Sequence, residues 1–261
     1  MMNKIALTPS KEKLKSLVIL FSLLGLFSIS TYFLELDLPR FLSRLENFPR
    51  IVRLFLALNL EAVRLGIEQL FISIALGICG LVVGGSVSFI LAFLAAENIT
   101  FSPVLSAIIK GGVSLIRALP NLVLILMIVA SLGMGNTAGV VGLSLSTVGF
   151  LTRAFISTIE DQDDAIVETL RATGANRLQI IVHGFFPNVL PAFLAWISIR
   201  MESSIAESIS LGIIGVGGIG MLLSRALRQH DHPTVSTLIL IIFSTMFILE
   251  ISLNRIKKNA R

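Results

Sequence analysis

Charged side chains are scarce in this sequence of 261 residues: they make up 14% of it, whereas 54% is hydrophobic and the mean hydropathy is +0.90. Because soluble domains carry about 25% charged residues, this deficit excludes a disordered chain and an ordinary soluble domain. Most of the surface must therefore face lipid. One bilayer crossing takes about 20 apolar residues, so the length predicts a single all-α, polytopic membrane protein with about six transmembrane helices.

Residues that carry chemistry are scarce as well. The single Cys79 lies in an apolar run, so it is expected to be a packed hydrophobe rather than a disulfide partner. None of the lysines follows a glycine, so the chain lacks a Gly-x-x-x-x-Gly-Lys phosphate loop and is not an ATPase of that type. His230, Asp231 and His232 are adjacent, and adjacent residues rarely supply a closed ligand set, so no metal site is expected. All three histidines fall outside the apolar runs, which disfavours an intramembrane hydrolase.

Six apolar runs predict the membrane helices. The first run follows a lysine-rich tail and is longer than the core of a signal peptide, so it is expected to be a retained span. Glycine, alanine and serine are scattered through the other five, which favours close helix packing in a bundle. The spans are predicted at residues 16–34, 67–96, 103–133, 136–159, 188–208 and 234–254.

The segments around these runs predict the domain organisation and the orientation. Residues 35–65 mix Arg, Asp and Glu with Leu and Phe, which favours a periplasmic amphipathic segment at the membrane interface. Twelve lysines and arginines fall on the side of the termini and seven on the other, so both termini are expected in the cytoplasm. The net charge of +5 then reflects this orientation rather than nucleic-acid binding. The predicted parts are a cytoplasmic tail at 1–15, the first helix at 16–34, the interfacial segment at 35–65, the transmembrane domain at 66–255 and a basic cytoplasmic tail at 256–261.

Residues 160–187 are the longest polar interruption of the transmembrane domain and predict a cytoplasmic helix, turn and helix. Acidic N-cap candidates precede a helix over residues 165–173, Gly174 ends it, and a second helix starts at Asn176. Such a projection offers apolar anchors and an ionic rim to a partner protein. The candidate docking residues are Asp164, Val167, Glu168, Leu170, Arg171, Ala172, Gly174 and Arg177.

This segment resembles the EAA signature of ABC importer permeases. The stretch ETLRATGA at residues 168–175, followed by Phe186-Pro187, is similar to the phosphonate-type branch of that family, and the likeness extends over residues 59–258. One departure lies in the fifth span. Ala206 stands where the branch commonly has an arginine, so the identity of the anion stays open.

The resemblance implies a type I ABC importer fold and a role as the permease of an ATP-driven, binding-protein-dependent importer in the bacterial inner membrane. The implied partners are a second copy of the permease in a homodimer, two copies of a cytoplasmic ATP-binding subunit, and a periplasmic or lipid-anchored substrate-binding protein. ATP and Mg²⁺ are expected on the ATP-binding subunit, and no cofactor is expected in this chain. The implied cargo is a phosphonate, phosphite or related small oxyanion. The same architecture for another solute, such as methionine or a quaternary amine, stays open, while a channel or an intramembrane enzyme is disfavoured.

Ionised residues within the apolar runs are candidates for the transport path, because a charge inside a membrane usually faces protein or water. Arg117 comes just before a proline that is expected to break the helix and free backbone groups for a polar cavity. Polar residues between positions 200 and 207 share one helix face, where they line either a central path or an interhelical polar seam. The candidate pathway residues are Arg117, Pro120, Asn121, Arg200, Ser203, Ser204 and Glu207.

A glycine-dense apolar segment over residues 212–220 predicts a re-entrant turn or an outer gate. The segment formally contains Gly-x-Gly-x-x-Gly, but no βαβ unit surrounds it, so dinucleotide binding is not expected. The candidate gate residues are Gly212, Gly215, Gly217, Gly218 and Gly220.

Overall fold

The computed structural model describes residues 10–35 and 37–259, and every regular element within these residues is helical. The predicted all-α fold is therefore confirmed, while the first nine residues and the last two lie outside the description. The helices are α1 Ser10–Phe33, α2 Leu38–Leu45, α3 Phe48–Leu56, α4 Glu61–Ala95, α5 Pro103–Ala118, α6 Asn121–Leu132, α7 Asn136–Glu160, α8 Asp164–Ala172, α9 Arg177–Gln179, α10 Phe186–Ile213, α11 Gly218–Arg228 and α12 His232–Asn259.

The chain divides into two compact units, residues 1–53 and residues 54–261. In the first unit, α1 is long and apolar enough to cross a membrane over Leu14–Phe33. In the charged segment that follows, Asp37 is the N-cap of α2. Its carboxylate accepts a hydrogen bond from the backbone N–H of Arg40 at 2.9 Å. The two short helices α2 and α3 thus occupy the segment predicted at the interface.

Three long helices, α4, α7 and α10, form the core of the second unit, and small residues let them approach closely. A Cβ atom added at Gly84 would lie 2.5 Å from the carbonyl oxygen of Ser144, and one added at Gly77 would lie 3.0 Å from the Cα atom of Ile205. Only glycine fits at such contacts, so the predicted packing of the bundle through small residues is confirmed. Cys79 is exposed on α4, so its predicted burial is wrong for this chain.

The predicted third span is broken at Pro120. Helices α5 and α6 meet there at an angle of 93°. Pro120 has an extended backbone (φ −57°, ψ 134°) and is the N-cap of α6. The prediction that the proline breaks the helix is confirmed. Five helices of the described residues are long and apolar enough to cross a membrane, and the count reaches six only if α5 and α6 together form one span.

Helices α10 and α11 form a hairpin whose turn depends on glycine. Gly215, Gly217 and Gly218 all have positive φ angles, of 101°, 139° and 72°. A Cβ at Gly212 would meet the carbonyl oxygen of Gly217, and one at Gly220 would meet that of Ile209. The predicted glycine turn is therefore present, and its role as a gate stays a prediction.

Replacing Gly218 by alanine should destabilise this hairpin by about 1–3 kcal/mol. The new Cβ would meet the side-chain oxygen of Ser73, which accepts a hydrogen bond from the backbone N–H of Ile219 at 3.1 Å. Thermal unfolding of the purified chain in detergent measures the loss. Gly111→Ala is the matched control, because a Cβ there meets no atom of the described residues within 4 Å. An equal loss in both variants would contradict the packing argument.

Candidate functional site

Arg200 is buried in the second unit and donates hydrogen bonds to three side chains. Its side chain on α10 is 4% exposed. Nη1 and Nη2 donate to the two carboxylate oxygens of Glu207 at 2.9 and 2.8 Å, and Nε donates to the hydroxyl of Thr147 at 3.1 Å. Nη2 also donates to the hydroxyl of Ser146 at 3.0 Å. Such a two-pronged pair is the strong form of the arginine and carboxylate interaction, and it offsets the cost of burying the guanidinium.

Glu207 links three helices through its carboxylate. The side-chain amide of Asn121, the first residue of α6, donates to Oε1 at 3.1 Å, and the hydroxyl of Ser146 on α7 donates to Oε2 at 3.4 Å. The Glu207 side chain is 23% exposed, so it is more accessible to solvent than the Arg200 guanidinium, which is 4% exposed. The broken helix is therefore tied to α7 and α10 through one carboxylate.

A polar cavity of 240 Å³ lies beside this pair. Arg117 and Asn121 line it from the two sides of the helix break, and Arg200 lines it from α10. The ring of Phe150 forms a further wall and stands 5.9 Å from the Arg200 Cζ atom, within the range of a cation and π contact. Arg117 is exposed and has no ion-pair partner among the described residues. Two arginines, Arg117 and Arg200, thus line the cavity, and Glu207 reaches it only through its pairing with Arg200.

The structure brings together four of the residues predicted to line the path: Arg117, Asn121, Arg200 and Glu207. Pro120 adjoins them as the N-cap of α6. Ser203 and Ser204 do not line the cavity. The hydroxyl of Ser203 donates to the carbonyl oxygen of Ile199, and that of Ser204 is buried without a hydrogen-bond partner among the described residues.

Three α7 residues at this site were missed: Ser146, Thr147 and Phe150. A signal for them existed, because α7 carries an unusual number of hydroxyl side chains for an apolar run. Its orientation relative to α10 was the missing information, since either face of α7 could have met Arg200.

The segment predicted to dock a partner forms α8, a glycine turn and a second helical segment. The Asp163 carboxylate caps α8 by accepting from the backbone N–H of Ala165 at 2.9 Å. Gly174 has a φ of 82°, and the N–H of Ala175 returns to the carbonyl oxygen of Leu170 at 3.1 Å, which closes the end of α8. The turn is therefore built on a left-handed residue at position 174.

The second helical segment starts with a reciprocal cap. The backbone N–H of Asn176 donates to the Gln179 side chain at 2.8 Å, and the N–H of Gln179 donates to the Asn176 side chain at 2.9 Å. A π-helical turn over Ile180–Phe185 follows. It precedes Pro187, which has no N–H to donate to the carbonyl of residue 183.

The predicted docking residues differ in exposure. Glu168, Ala172 and Gly174 are exposed, whereas Leu170 is partly buried against the core of the chain. The side chains of Asp164, Val167, Arg171 and Arg177 lie outside the described residues.

A second charged cluster joins the end of α7, where the docking segment begins, to α5. The Lys110 ammonium donates to the carboxylates of Glu97 at 2.6 Å and Glu160 at 2.8 Å, and the backbone N–H of Glu97 donates to Glu160 at 2.9 Å. A cavity of 380 Å³, lined also by Arg153, adjoins the cluster. The hydrogen bond from Lys110, together with its charge, lowers the pKa of the Glu97 carboxyl below its ordinary value of 4.5.

Acid should weaken this cluster. A carboxyl whose pKa is lowered by folding stabilises the folded state above its unfolded pKa, and this contribution is lost as the pH falls through the folded pKa. The Glu97 contribution is therefore fully present above its ordinary pKa of 4.5 and is lost progressively as the pH falls from there through the lowered pKa of the folded state. We expect the difference in thermal midpoint between the wild type and Lys110→Met to shrink between pH 5 and pH 3, and Glu97→Gln to lose this pH dependence. A difference that is constant over this interval would contradict the assignment.

A bundle of membrane-spanning helices with two arginines lining a cavity and an exposed helix and turn fits a membrane transport component. Residues 88–261 match the family described as binding-protein-dependent transport system inner membrane component, and the chain belongs to that family. It is thus a component of a transport system and not an enzyme, and the predicted membership of the ABC importer permeases is confirmed.

Relatives agree with the phosphonate-type resemblance. The chain is 29% identical to the phosphite transport system permease protein PtxC of Stutzerimonas stutzeri over 215 residues, which cover 82% of this chain and 78% of that protein. It is also 32% identical to the phosphate-import permease protein PhnE of Mycolicibacterium smegmatis over 187 residues. That match covers 70% of this chain and 35% of the length of PhnE. Inward-facing structures of the MetNI methionine ABC transporter share the fold, with a TM-score of 0.65, 19% identity, and coverage of 77% of this chain and 97% of that chain.

Proposed function

We propose that this chain is the transmembrane permease of an ATP-driven, binding-protein-dependent importer of phosphite, a phosphonate or a related small oxyanion. The similarity to PtxC over 82% of the chain is the observation that carries this proposal. The cavity supports it, because two arginines, Arg117 and Arg200, face a space of 240 Å³. Guanidinium groups bind tetrahedral oxyanions through pairs of parallel hydrogen bonds.

The proposed assembly contains two copies of this chain, two copies of a separate ATP-binding subunit that holds ATP and Mg²⁺, and an external substrate-binding protein. The exposed surface of α8 with Glu168, Ala172 and Gly174 is the proposed docking site for the ATP-binding subunit. Both termini and this surface then face the cytoplasm. The residues whose side chains lie outside the description, among them Asp164, Val167, Arg171 and Arg177, belong to the same proposed surface.

ATP-driven closure of the two ATP-binding subunits would act on the permease through α8. A ligand or partner shifts a conformational equilibrium only through contacts that differ between two states. The cluster of Lys110, Glu97 and Glu160 ties the start of the docking segment to α5, the helix that carries Arg117 at its far end. Movement of α8 is therefore transmitted toward the helix break and the cavity. The glycine turn between α10 and α11 is the proposed outer gate.

Uptake of radiolabelled phosphite and methylphosphonate tests this proposal. Cells that lack other uptake routes for these anions would express this chain with its neighbouring ATP-binding subunit and binding protein, and a matched strain would lack only this chain. We expect accumulation of at least one anion only when the chain is present. Accumulation of methionine or a quaternary amine instead would remove the oxyanion assignment.

A further inference from the structure

We infer that Glu207 is an exchangeable counter-ion, and that the transported oxyanion takes its place on the Arg200 guanidinium with Arg117 as the second cation. The inference rests on the proposed function and goes beyond it by naming the binding site within the permease and the event that opens it. The ligand class is a small tetrahedral oxyanion with at least two unsubstituted oxygens, such as phosphite, a phosphonate or phosphate.

The geometry of the existing pair matches that of the ligand. Nη1 and Nη2 of Arg200 donate to the two carboxylate oxygens of Glu207 at 2.9 and 2.8 Å, which is a bidentate interaction. Two oxygens of a tetrahedral oxyanion present the same spacing to the guanidinium edge. The carboxylate therefore occupies the position that the anion requires.

The two partners of the pair differ in how firmly they are held. The Arg200 guanidinium is 4% exposed and is held by the hydroxyl of Thr147 and the ring of Phe150, which do not contact Glu207, and by the hydroxyl of Ser146, which the two partners share. Glu207 is 23% exposed, and its remaining contacts are two single hydrogen bonds from Asn121 and Ser146, of 3.1 and 3.4 Å. When the pair opens, the carboxylate is thus the partner that moves, and the guanidinium stays as a preformed anion site.

The charge balance of the cavity favours the exchange. A buried guanidinium without a counter-charge is costly, so Glu207 holds the site closed while no anion is present. Arg117 lines the same cavity and has no ion-pair partner among the described residues, so an anion that reaches Arg200 gains a second cation that Glu207 does not contact. An oxyanion with a double negative charge gains most from this arrangement.

A purely structural role for the pair makes a different prediction. If Glu207 only ties α10 to α6 and α7, its replacement weakens the fold and leaves anion affinity unchanged or reduced. If Glu207 competes with the anion, its replacement raises anion affinity. Binding measurements on Glu207 variants therefore separate the two roles.

The experiment measures binding of radiolabelled phosphite to the complete complex of permease and ATP-binding subunit in lipid nanodiscs, without the binding protein. We expect Glu207→Gln to bind phosphite about tenfold more tightly than the wild type, because the competing charge is gone. Arg117→Gln should bind about tenfold more weakly, the size of one lost charge-assisted hydrogen bond. Arg64→Gln is the matched control and should bind as the wild type does, because the Arg64 side chain is 91% exposed and its one ion-pair partner among the described residues is Glu68.

Phosphite binding to a second Glu207 variant, together with the uptake assay in cells, makes each outcome decisive. Glu207→Asp keeps the charge but shortens its reach, so it should give an intermediate affinity and replaces Glu207→Gln if the amide variant does not fold. Unchanged or weaker phosphite binding in the Glu207 variants, or wild-type affinity in Arg117→Gln, overturns the exchange even when cells take up phosphite. Accumulation of methionine or a quaternary amine in the cells, without uptake of phosphite or methylphosphonate, would instead refute the proposed function itself.

Discussion

Gly174→Val should reduce substrate uptake to less than about a tenth of the wild-type rate, whereas Gly174→Asn should retain most of it. Gly174 closes α8 with a φ of 82°, a conformation that asparagine adopts with little cost and that a β-branched residue strongly resists. A Cβ at this position meets no described atom of the chain within 4 Å, so the two variants differ mainly in their backbone preference. Valine would therefore unwind the turn that orients the proposed docking surface, and ATP-driven motion would no longer reach the membrane helices.

Transport assays in whole cells measure this effect, with membrane abundance followed by immunoblotting and subunit assembly followed by co-purification. We expect Gly174→Val to stay in the membrane and to lose the ATP-binding subunit. Glu168→Ala, on the same exposed surface, should lower uptake in the same way. Normal uptake by Gly174→Val, or equal losses in the valine and asparagine variants, would contradict the role of the turn.

Glu207→Ala should destabilise the folded chain by about 3–5 kcal/mol, the usual cost of removing one member of a buried ion pair. The alanine leaves the Arg200 guanidinium buried with only hydroxyl groups as acceptors, because Thr147 and Ser146 carry no charge. Arg200→Met in combination with Glu207→Ala removes both charges, so the double variant should recover a large part of the loss.

Thermal unfolding of the four proteins of this double-mutant cycle in detergent measures the coupling. Glu68→Ala is the control for a surface pair, since Glu68 and Arg64 are largely exposed, and it should change stability by no more than about 1 kcal/mol. If the losses from Arg200→Met and Glu207→Ala simply add, the pair has no net coupling and the central position of Glu207 in the site is wrong.

Much of the fold was predictable because it depends on local rules. Apolar runs long enough to cross a bilayer, a proline without an N–H at position 120, and a glycine at position 174 each act through their own chain segment. The structure therefore places the helix break and the turn of the docking segment where the sequence indicates them. The sharp bend at Pro120 was foreseeable as a break, but its angle of 93° depends on how α6 packs against α7.

The composition of the site was only partly predictable, because it depends on which helix faces meet. Arg117, Asn121, Arg200 and Glu207 were identifiable as polar groups in apolar runs, whereas their α7 partners depend on the rotation of that helix. The cluster of Lys110, Glu97 and Glu160 could not be predicted from the sequence for the same reason, since Glu97 and Glu160 are 63 positions apart. Cys79 shows the reverse error, because an apolar neighbourhood in sequence does not determine whether a side chain points into the bundle.

ATP-dependent accumulation of phosphite in proteoliposomes tests the central claim most directly. Vesicles would contain the permease, its ATP-binding subunit and an excess of binding protein on the side opposite to the nucleotide site. The account predicts accumulation of phosphite above its external concentration that requires both ATP hydrolysis and the binding protein, and that Gly174→Val abolishes. Phosphite flux down its gradient without ATP and without the binding protein, unchanged in Gly174→Val, would identify a passive channel and contradict the account.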